Sequence, residues 1–280
     1  MILLRLALAA LLGAATAVAE DAPRRVASIN LSADEVLAEI LPPERLVGVT
    51  RWVDDPETSN AVGRVRPQVV RFQKTDMERL VALTPDLVIV SEYTDADFLR
   101  LLERSGLRWH RMSGLASLSG VRQAILELGR AVGEAAKAER LVAAYDLKLG
   151  DLASRLVGTR RPRVLYWSGG MTAGADTAIG AVIEGAGGAN VGREMGVTGI
   201  APPGAERAFM SDPDVILVAH YPGSLEAVTG HPLLKDLRAV REGRIVVMPN
   251  QLMVALSQYT ADACVWLALR LHPDRVPAVP

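Results

Sequence analysis

A sixteen-residue pattern occurs twice in this chain, and it constrains the fold more than any other feature of the sequence. The first copy spans 78–93 and the second spans 206–221, so the copies lie 128 positions apart without a gap. Each copy combines a short helical pattern, a turn containing Pro-Asp, and a continuous apolar run typical of a buried strand in a parallel sheet. The repeat predicts two similar α/β lobes, and two such lobes usually enclose a cleft.

The remaining patterns alternate between strand and helix, as expected for lobes built on mainly parallel sheets. Apolar residues at helical spacing between the two repeats predict one long helix that joins the lobes, although a surface helix of a single lobe would show the same periodicity. The predicted division is a signal peptide over 1–19, an N-terminal lobe over 20–133, a linker helix over 134–158 and a C-terminal lobe over 159–280. The predicted strands outside the repeat are 25–30, 46–50, 107–112, 163–167 and 244–248, with a long loop over 54–74.

The first residues have the composition of a secretory signal. Arg5 precedes an apolar stretch from Leu6 to Leu12, and small residues end at Ala19, which predicts cleavage after Ala19 and a periplasmic protein. A membrane anchor is the alternative, but the apolar stretch is shorter than the roughly 20 residues that span a bilayer.

Composition excludes several classes of partner and chemistry. Half of the residues are hydrophobic, the formal net charge is −1, and charges of both signs are interspersed, which argues against a nucleic-acid partner. The single cysteine, Cys264, lies in an apolar helical pattern and is expected to be a core residue, so no disulfide can form within the chain.

Motifs for nucleotide binding or nucleophilic catalysis are incomplete. The glycine-rich segment 169–174 lacks the lysine of a phosphate-binding loop, and Ser168 lacks the glycine of a nucleophile elbow two positions before it. The four histidines are scattered, so neither a metal site, a resident cofactor nor a catalytic residue is predicted. His220 remains of interest because it follows the second repeat strand, where ligands of α/β sheets bind.

Aromatic residues make up only 4% of the chain, so their positions are informative. Trp52, Phe72 and Trp167 follow strands or lie in loops that would face the cleft between the lobes, which makes them candidate ligand contacts. Core packing is the alternative for each of them. Two acidic features have structural explanations: 32–35 reads as a capping box, and Glu78 and Glu206 stand where a carboxylate favours a helix dipole.

Several segments together resemble the iron-chelate and cobalamin class of periplasmic binding proteins, the receptors of ABC importers. The resemblance rests on the strand 25–30, the segment Leu46-Val47-Gly48-Val49-Thr50, the repeat segment 78–88 and Gly187-Gly188-Ala189-Asn190, and it covers nearly the whole chain after the signal. It implies a non-catalytic, monomeric receptor with two lobes joined by one long helix. It also implies that Glu78 and Glu206 present carboxylates to arginines of the permease dimer in the inner membrane.

The resemblance leaves the transported ligand open among metal chelates. Cobalamin receptors hold the corrinoid with aromatic residues at positions similar to Trp52, Phe72 and Met171, and a tryptophan at Ile200 would complete the likeness. Cobalamin or another corrinoid is the first expectation, although Met171 and Ile200 depart from that pattern. A haem receptor would need an axial ligand from Tyr93, Tyr221, His220 or Tyr259, and a ferric-siderophore receptor would need cations such as Arg51, Arg71 or Arg193. A secreted, metal-assisted enzyme that uses the same cleft is the alternative of a different class.

Overall fold

The structure, a computed structural model, describes residues 22–73 and 76–276. The predicted signal peptide and its cleavage after Ala19 lie outside the described residues. Within them, no helix combines the length and the low polarity that crossing a membrane would require.

The N-terminal lobe is built on a five-stranded parallel sheet with the strand order β3-β2-β1-β4-β5. Its strands are β1 (Val26–Ser28), β2 (Leu46–Thr50), β3 (Val70–Phe72), β4 (Leu87–Ser91) and β5 (Trp109–Met112). Its helices are α1 (Leu31–Ile40), α2 (Met77–Ala82), α3 (Ala96–Arg104) and α4 (Leu118–Ala131), with a 3-10 helix at Arg51–Asp54. β3 lies inside the segment that the sequence predicts as a loop, because a three-residue edge strand is too short to give a periodicity.

The C-terminal lobe contains a four-stranded parallel sheet in the order β11-β10-β6-β8 and a two-stranded antiparallel ribbon, β7 with β9. Its strands are β6 (Arg163–Tyr166), β7 (Thr172–Ala173), β8 (Ala189–Asn190), β9 (Ile200–Ala201), β10 (Val215–Ala219) and β11 (Ile245–Met248). Its helices are α6 (Ala178–Gly185), α7 (Val191–Glu194), α8 (Ala205–Met210), α9 (Glu226–Thr229), α10 (Arg238–Arg241), α11 (Asn250–Met253) and α12 (Thr260–Leu271). A 3-10 helix at Leu234–Asp236 precedes α10.

The structure confirms the internal repeat residue by residue. α2 and α8 begin and end at equivalent positions, and so do β4 and β10, all with the 128-residue offset. The turns also match, because Thr84 and Asp212 occupy equivalent positions and both have positive φ values, 44° and 38°. Few non-glycine residues adopt this conformation, so its occurrence in both copies indicates a common backbone path.

The same arginine and aspartate hold this turn in each lobe. The Arg25 guanidinium donates to the carbonyls of Leu83 and Thr84, and the Arg163 guanidinium donates to the equivalent carbonyls in the second lobe. The backbone N–H of each arginine donates to a repeat aspartate, Asp86 or Asp214. Burial alone would raise the pKa of Asp214, but hydrogen bonds from Arg163 N–H and from two guanidinium groups lower it to about 2.

A long helix joins the lobes, as predicted. This helix, α5 (Ala135–Arg155), packs Val142 and Tyr145 into the N-terminal core and Leu152 into the C-terminal core. The structure adds a second connection that the sequence did not indicate. Ala261, at the start of α12, belongs to the N-terminal core, whereas Cys264 of the same helix belongs to the C-terminal core.

The prediction that 32–35 caps the first helix was wrong. Asn30 is the N-cap of α1, and its side chain accepts a hydrogen bond from the Ala33 N–H. Asp34 and Glu35 are instead buried, at 0% and 1% exposure. The capping-box pattern begins two residues after the true N-cap, and its two acidic residues are buried carboxylates.

Candidate ligand-binding cleft

Three grooves have lining residues from both lobes, and two of them contain the tyrosines that end the repeats. The third groove, of about 390 Å³, lies between residues 116–119 of the N-terminal lobe and C-terminal residues that include Asp176, Glu184 and Arg193. The large groove, of about 790 Å³, is bordered by Glu57 of the N-terminal lobe and by the loop 220–226 that follows β10. The small groove, of about 360 Å³, is lined by Tyr93, Ile200, Met253 and Val254 together with the segment 176–179. This position agrees with the rule that ligands of open α/β sheets bind outside the strand carboxyl ends.

Tyr93 and Tyr221 are an equivalent pair, one from each copy of the repeat. Tyr93 is 61% exposed in the small groove, and Tyr221 is 41% exposed in the large groove. The hydroxyl groups of Tyr221 and Ser168 lie 2.6 Å apart in a hydrogen bond, which brings the turn after β6 next to the large groove. The duplication therefore supplies each lobe with an exposed aromatic side chain at the cleft.

Trp52 is the other exposed aromatic residue on this side of the N-terminal lobe. It lies in the 3-10 helix after β2, is 42% exposed, and carries the Arg51 guanidinium 4.1 Å from its ring centroid. The same segment continues to Glu57, which borders the large groove and whose Oε2 is 3.7 Å from His220 Nδ1 of the opposite lobe. Trp52 is thus exposed on the segment that reaches the large groove, but it does not itself line the large or the small groove, so its contact with a ligand stays a prediction.

Phe72 and Trp167 require a correction, because both are 3% exposed. The Phe72 ring packs in the N-terminal lobe with Leu80 and Val88. Trp167 packs in the C-terminal core, where its ring and the His231 ring form a T-shaped pair with centroids 6.0 Å apart. Residues at the end of a strand can point to either face of the sheet. The position of an aromatic residue in the sequence therefore did not show whether its side chain lies in the core or in the cleft. The alternative of core packing is the one that the structure supports for these two residues.

Of the two aliphatic candidates in the C-terminal lobe, Ile200 lines the small groove, whereas Met171 lines neither the large nor the small groove. Met171 is half-buried in the tight turn 168–171, whose backbone hydrogen bonds join Ser168 and Met171 in both directions. Ile200 is 56% exposed on β9 and lines the small groove. Both aliphatic side chains can offer apolar contact to a ligand but no aromatic face.

The cations that a ferric siderophore would require are largely engaged elsewhere. The Arg71 guanidinium forms an ion pair with Asp54 at 2.7 Å and also donates to backbone carbonyls, and Arg193 pairs with Glu184 at 2.7 Å. No lysine or arginine is among the described residues that line the large and small grooves. Arg193 lines the third groove beside its partner Glu184, and the Arg51 guanidinium stacks on Trp52.

The candidate axial ligands are not brought together at one point. Tyr93 lines the small groove, whereas Tyr221 and His220 line the large groove. Tyr259 is half-buried and its hydroxyl donates to Glu39 Oε1 at 3.4 Å. Within 22–73 and 76–276, no group of three or more His, Cys, Asp or Glu side chains is arranged to hold a metal ion.

A comparison with protein families decides the class of this chain. The sequence profile of the periplasmic binding protein family matches residues 26–252. The chain belongs to the periplasmic binding protein family. Among curated relatives, it is 28% identical over 246 residues to the cobalamin-binding protein of Halobacterium salinarum, in two strains. That alignment covers 83% of this chain but only 65% of the relative.

Solved structures of other periplasmic binding proteins share the fold. The haem-binding protein of Roseiflexus sp. RS-1 has a TM-score of 0.76 at 24% identity, covering 89% of this chain and 98% of that one. The haem-binding protein of Pseudomonas aeruginosa has a TM-score of 0.77 at 24% identity, with 92% and 95% coverage. The molybdate-binding protein of Haemophilus influenzae reaches 0.76 at 20% identity, with 91% and 88% coverage. One fold thus serves very different ligands, so the ligand must be argued from the cleft.

In this periplasmic binding protein, Glu78 and Glu206 occupy equivalent exposed positions in the first turns of α2 and α8. Asp76 already caps α2 by accepting a hydrogen bond from Arg79 N–H, so Glu78 is not needed as a cap. The ion pairs among the described residues include neither glutamate. Both carboxylates therefore face solvent at matching places on the two lobes.

Sequence reasoning missed part of the cleft and one polar cluster beneath it. Met253 and Val254 follow β11 in a stretch without a recognisable motif, yet both line the small groove. The buried carboxylates of α1 were concealed by the capping-box pattern. Cys264 was predicted correctly, because it is fully buried and burial raises the pKa of its thiol to about 12.

Burial changes the acidity of the two α1 carboxylates of this binding protein. Desolvation raises the pKa of Asp34 to about 7, although hydrogen bonds from Thr50 oppose the shift. Desolvation also raises the pKa of Glu35, against hydrogen bonds from Ser257 and Asn60. A carboxyl group with a raised pKa binds its proton more tightly in the folded state than in the unfolded state.

We therefore expect the wild type to lose stability relative to Asp34→Asn as the pH rises. The Asp34 contribution is fully present below about pH 4 and is lost as the pH rises through about 7, at up to about 1.4 kcal/mol per pH unit. His110 and His272, whose pKa values burial lowers, give the opposite slope in both proteins and cancel in the difference. Urea unfolding of both proteins at pH 5 and pH 8 measures the difference between their free energies of unfolding. If that difference does not change with pH, the pKa of Asp34 is not raised.

Proposed function

We propose that this periplasmic binding protein captures a corrinoid in the cleft between its lobes and delivers it to an ABC permease dimer in the inner membrane. In this proposal residues 1–19 direct export and are removed after Ala19, and the mature receptor is a monomer without catalytic activity. The similarity to a cobalamin-binding protein supports the ligand class. Because the chain spans about 65% of that relative, the cleft has to supply the rest of the argument.

The charge of the groove linings is the observation that carries the proposal. Glu57 and Glu226 line the large groove and Asp176 lines the small one, and no lysine or arginine is among the described residues that line these two grooves. Arg193 of the third groove is paired with Glu184. Haem propionates and ferric catecholates bring negative charge that such carboxylates would repel. The amide groups around a corrin ring are neutral and donate hydrogen bonds, which carboxylate and tyrosine oxygens can accept.

Apolar contact can supply much of the affinity. Trp52, Tyr93, Ile200 and Tyr221 are all more than 40% exposed, so a flat macrocycle could cover surface that now faces water. Burying one large apolar side chain contributes roughly 1.5–3 kcal/mol, and nanomolar affinity requires about 12 kcal/mol. Four such contacts together with a few hydrogen bonds reach that order before the cost of ordering is subtracted.

A haem receptor is the second candidate, because Tyr93 presents an exposed phenol in the small groove. A tyrosinate ligand would shift the absorbance of haemin, whereas corrinoid binding would leave haemin unchanged. Titration of the purified protein with cyanocobalamin, haemin and a ferric catecholate, followed by tryptophan quenching and ligand absorbance, separates the candidates. Turnover of a bound ligand in the same assays would favour the enzyme alternative instead.

We expect Trp52→Ala to weaken corrinoid binding at least tenfold while the melting temperature changes by no more than about 2 °C. The indole is 42% exposed, so its removal leaves no core cavity but deletes a contact surface at the rim. Titration of the variant with cyanocobalamin measures the affinity.

Trp266→Ala is the matched control for Trp52→Ala. Trp266 also lies under an arginine, with the Arg270 guanidinium 3.3 Å from its ring centroid, but it belongs to α12 outside the cleft. Its affinity for the corrinoid should equal that of the wild type. If both tryptophan variants lose affinity equally, the rim position of Trp52 has no special role.

A further inference from the structure

The segment 50–60 borders the large groove through Glu57 and carries the exposed Trp52. It consists of a short 3-10 helix and irregular turns, so little regular secondary structure fixes it. Two consecutive residues of α1, Asp34 and Glu35, hold this segment in place by hydrogen bonds to its two ends.

Asp34 holds the beginning of this segment. Its Oδ2 accepts hydrogen bonds from the Thr50 N–H at 2.9 Å and from Thr50 Oγ1 at 2.6 Å. Thr50 is both the last residue of β2 and the residue that precedes the 3-10 helix. The position of Trp52, two residues further on, is therefore set relative to α1.

Glu35 holds the end of the segment. Its Oε1 accepts hydrogen bonds from the Asn60 N–H at 2.8 Å and from Asn60 Nδ2 at 3.0 Å. Its Oε2 accepts a hydrogen bond of 2.5 Å from Ser257 Oγ, and the Glu35 carbonyl accepts another from Gln258 Nε2. Asn60 Nδ2 also donates to the carbonyl of Gln251, so this anchor joins the rim to the chain that returns from the C-terminal lobe.

The energetics favour a positioning role over ordinary packing. Both carboxylates are almost completely buried, and their hydrogen-bond donors are backbone amides, hydroxyls and an amide side chain, without an arginine or lysine. Removing one partner of a buried hydrogen bond leaves the other unsatisfied, which costs free energy. The segment that the bond holds is thereby destabilised. Preorganisation of a binding segment raises affinity because less order has to be created on binding.

We propose that Asp34 and Glu35 are positioning residues for ligand capture: they fix the two ends of the segment 50–60 and thereby place Trp52 and Glu57 at the cleft. This inference rests on the proposed receptor function. Glu35 in addition couples the rim to Ser257 and so to the second connection between the lobes. The two carboxylates act on the ligand only through the segment.

Hydrogen exchange of the ligand-free protein tests the anchor directly. In Glu35→Ala and in the milder Ser257→Ala, amide exchange within 51–60 should accelerate at least tenfold relative to the wild type, while the strands of both sheets keep their protection. Asp214→Asn is the matched control, because it removes a buried, hydrogen-bonded carboxylate at the far end of the C-terminal lobe. Exchange within 51–60 that is unchanged, or that accelerates equally in the control, would overturn the proposal.

A double-mutant cycle then connects the anchor to the ligand. Ser257→Ala should weaken cyanocobalamin binding about tenfold in the wild-type background but by less than threefold in Trp52→Ala, because the anchor acts through the segment that carries Trp52. Equal losses in both backgrounds would overturn the positioning role. If no chelate binds the wild-type protein, the receptor function itself has failed, and the exchange experiment still tests the anchor.

Discussion

We expect the double variant Glu78→Lys/Glu206→Lys to lose at least 90% of corrinoid uptake while its affinity for the ligand stays within twofold of the wild type. Both glutamates are exposed in the first turns of equivalent helices, so they can meet a two-fold symmetric partner at matching places. Exposed ion pairs each contribute only about 0–1 kcal/mol. Charge reversal has a larger effect, because it places like charges opposite each other at an interface.

Uptake into vesicles that contain the permease, and titration of the free receptor, measure the two quantities separately. The matched control is Glu103→Lys/Glu139→Lys, which changes the net charge equally on exposed positions of α3 and α5. A second variant, Glu78→Gln/Glu206→Gln, removes the charges without reversal and should reduce uptake less. Normal uptake in the lysine variant, or an equal loss in the control, would exclude docking through these two carboxylates.

The repeat was the part of the fold that the sequence predicted best. The repeat correctly predicted the helix-strand pairs α2–β4 and α8–β10. Each copy contains, in this order, a helical periodicity, a Pro-Asp turn and the apolar run of a buried parallel strand. The structure extends the likeness to the arginine-aspartate anchor behind each turn. That anchor could not be derived from one sequence, since Arg25 and Arg163 are separated from their partners by many residues.

The features that sequence reasoning missed depend on contacts between distant segments. The edge strand β3 is too short for a periodicity, and the return of α12 to the N-terminal core gives no local signal. Asp34 and Glu35 look like ordinary first-turn acids of a helix. Their burial becomes evident only when Thr50, Asn60 and Ser257 are brought to them by the folded chain.

The same limit explains the mixed outcome for the aromatic residues. Trp52 lies two residues after β2 and Phe72 is the last residue of β3 in the same sheet, yet Trp52 is 42% exposed and Phe72 is 3% exposed. The side of the sheet on which a side chain lies depends on strand register, which a short strand does not reveal. Removing the exposed Trp52 side chain should therefore change stability little, whereas removing the buried Phe72 side chain should reduce it strongly.

We expect Phe72→Ala to destabilise the protein by about 3–5 kcal/mol, the usual cost of removing a buried phenylalanine side chain. Phe72 packs with Leu80 and Val88 in the core beneath the sheet. For a chain of this size, such a loss corresponds to a fall in melting temperature of about 6–20 °C. Thermal unfolding measures it, and the folded fraction at 10 °C should bind cyanocobalamin with unchanged affinity.

Gly48 provides an independent check on this core contact. A Cβ atom at Gly48 would lie 2.7 Å from the Phe72 ring and 3.0 Å from Leu83, so Gly48→Ala should also destabilise the protein. In the double variant Gly48→Ala/Phe72→Ala the main clash is removed, and the combined loss should be smaller than the sum of the single losses. An additive result would show that the two residues do not touch. An unchanged melting temperature in Phe72→Ala, together with weaker ligand binding, would instead return Phe72 to the cleft.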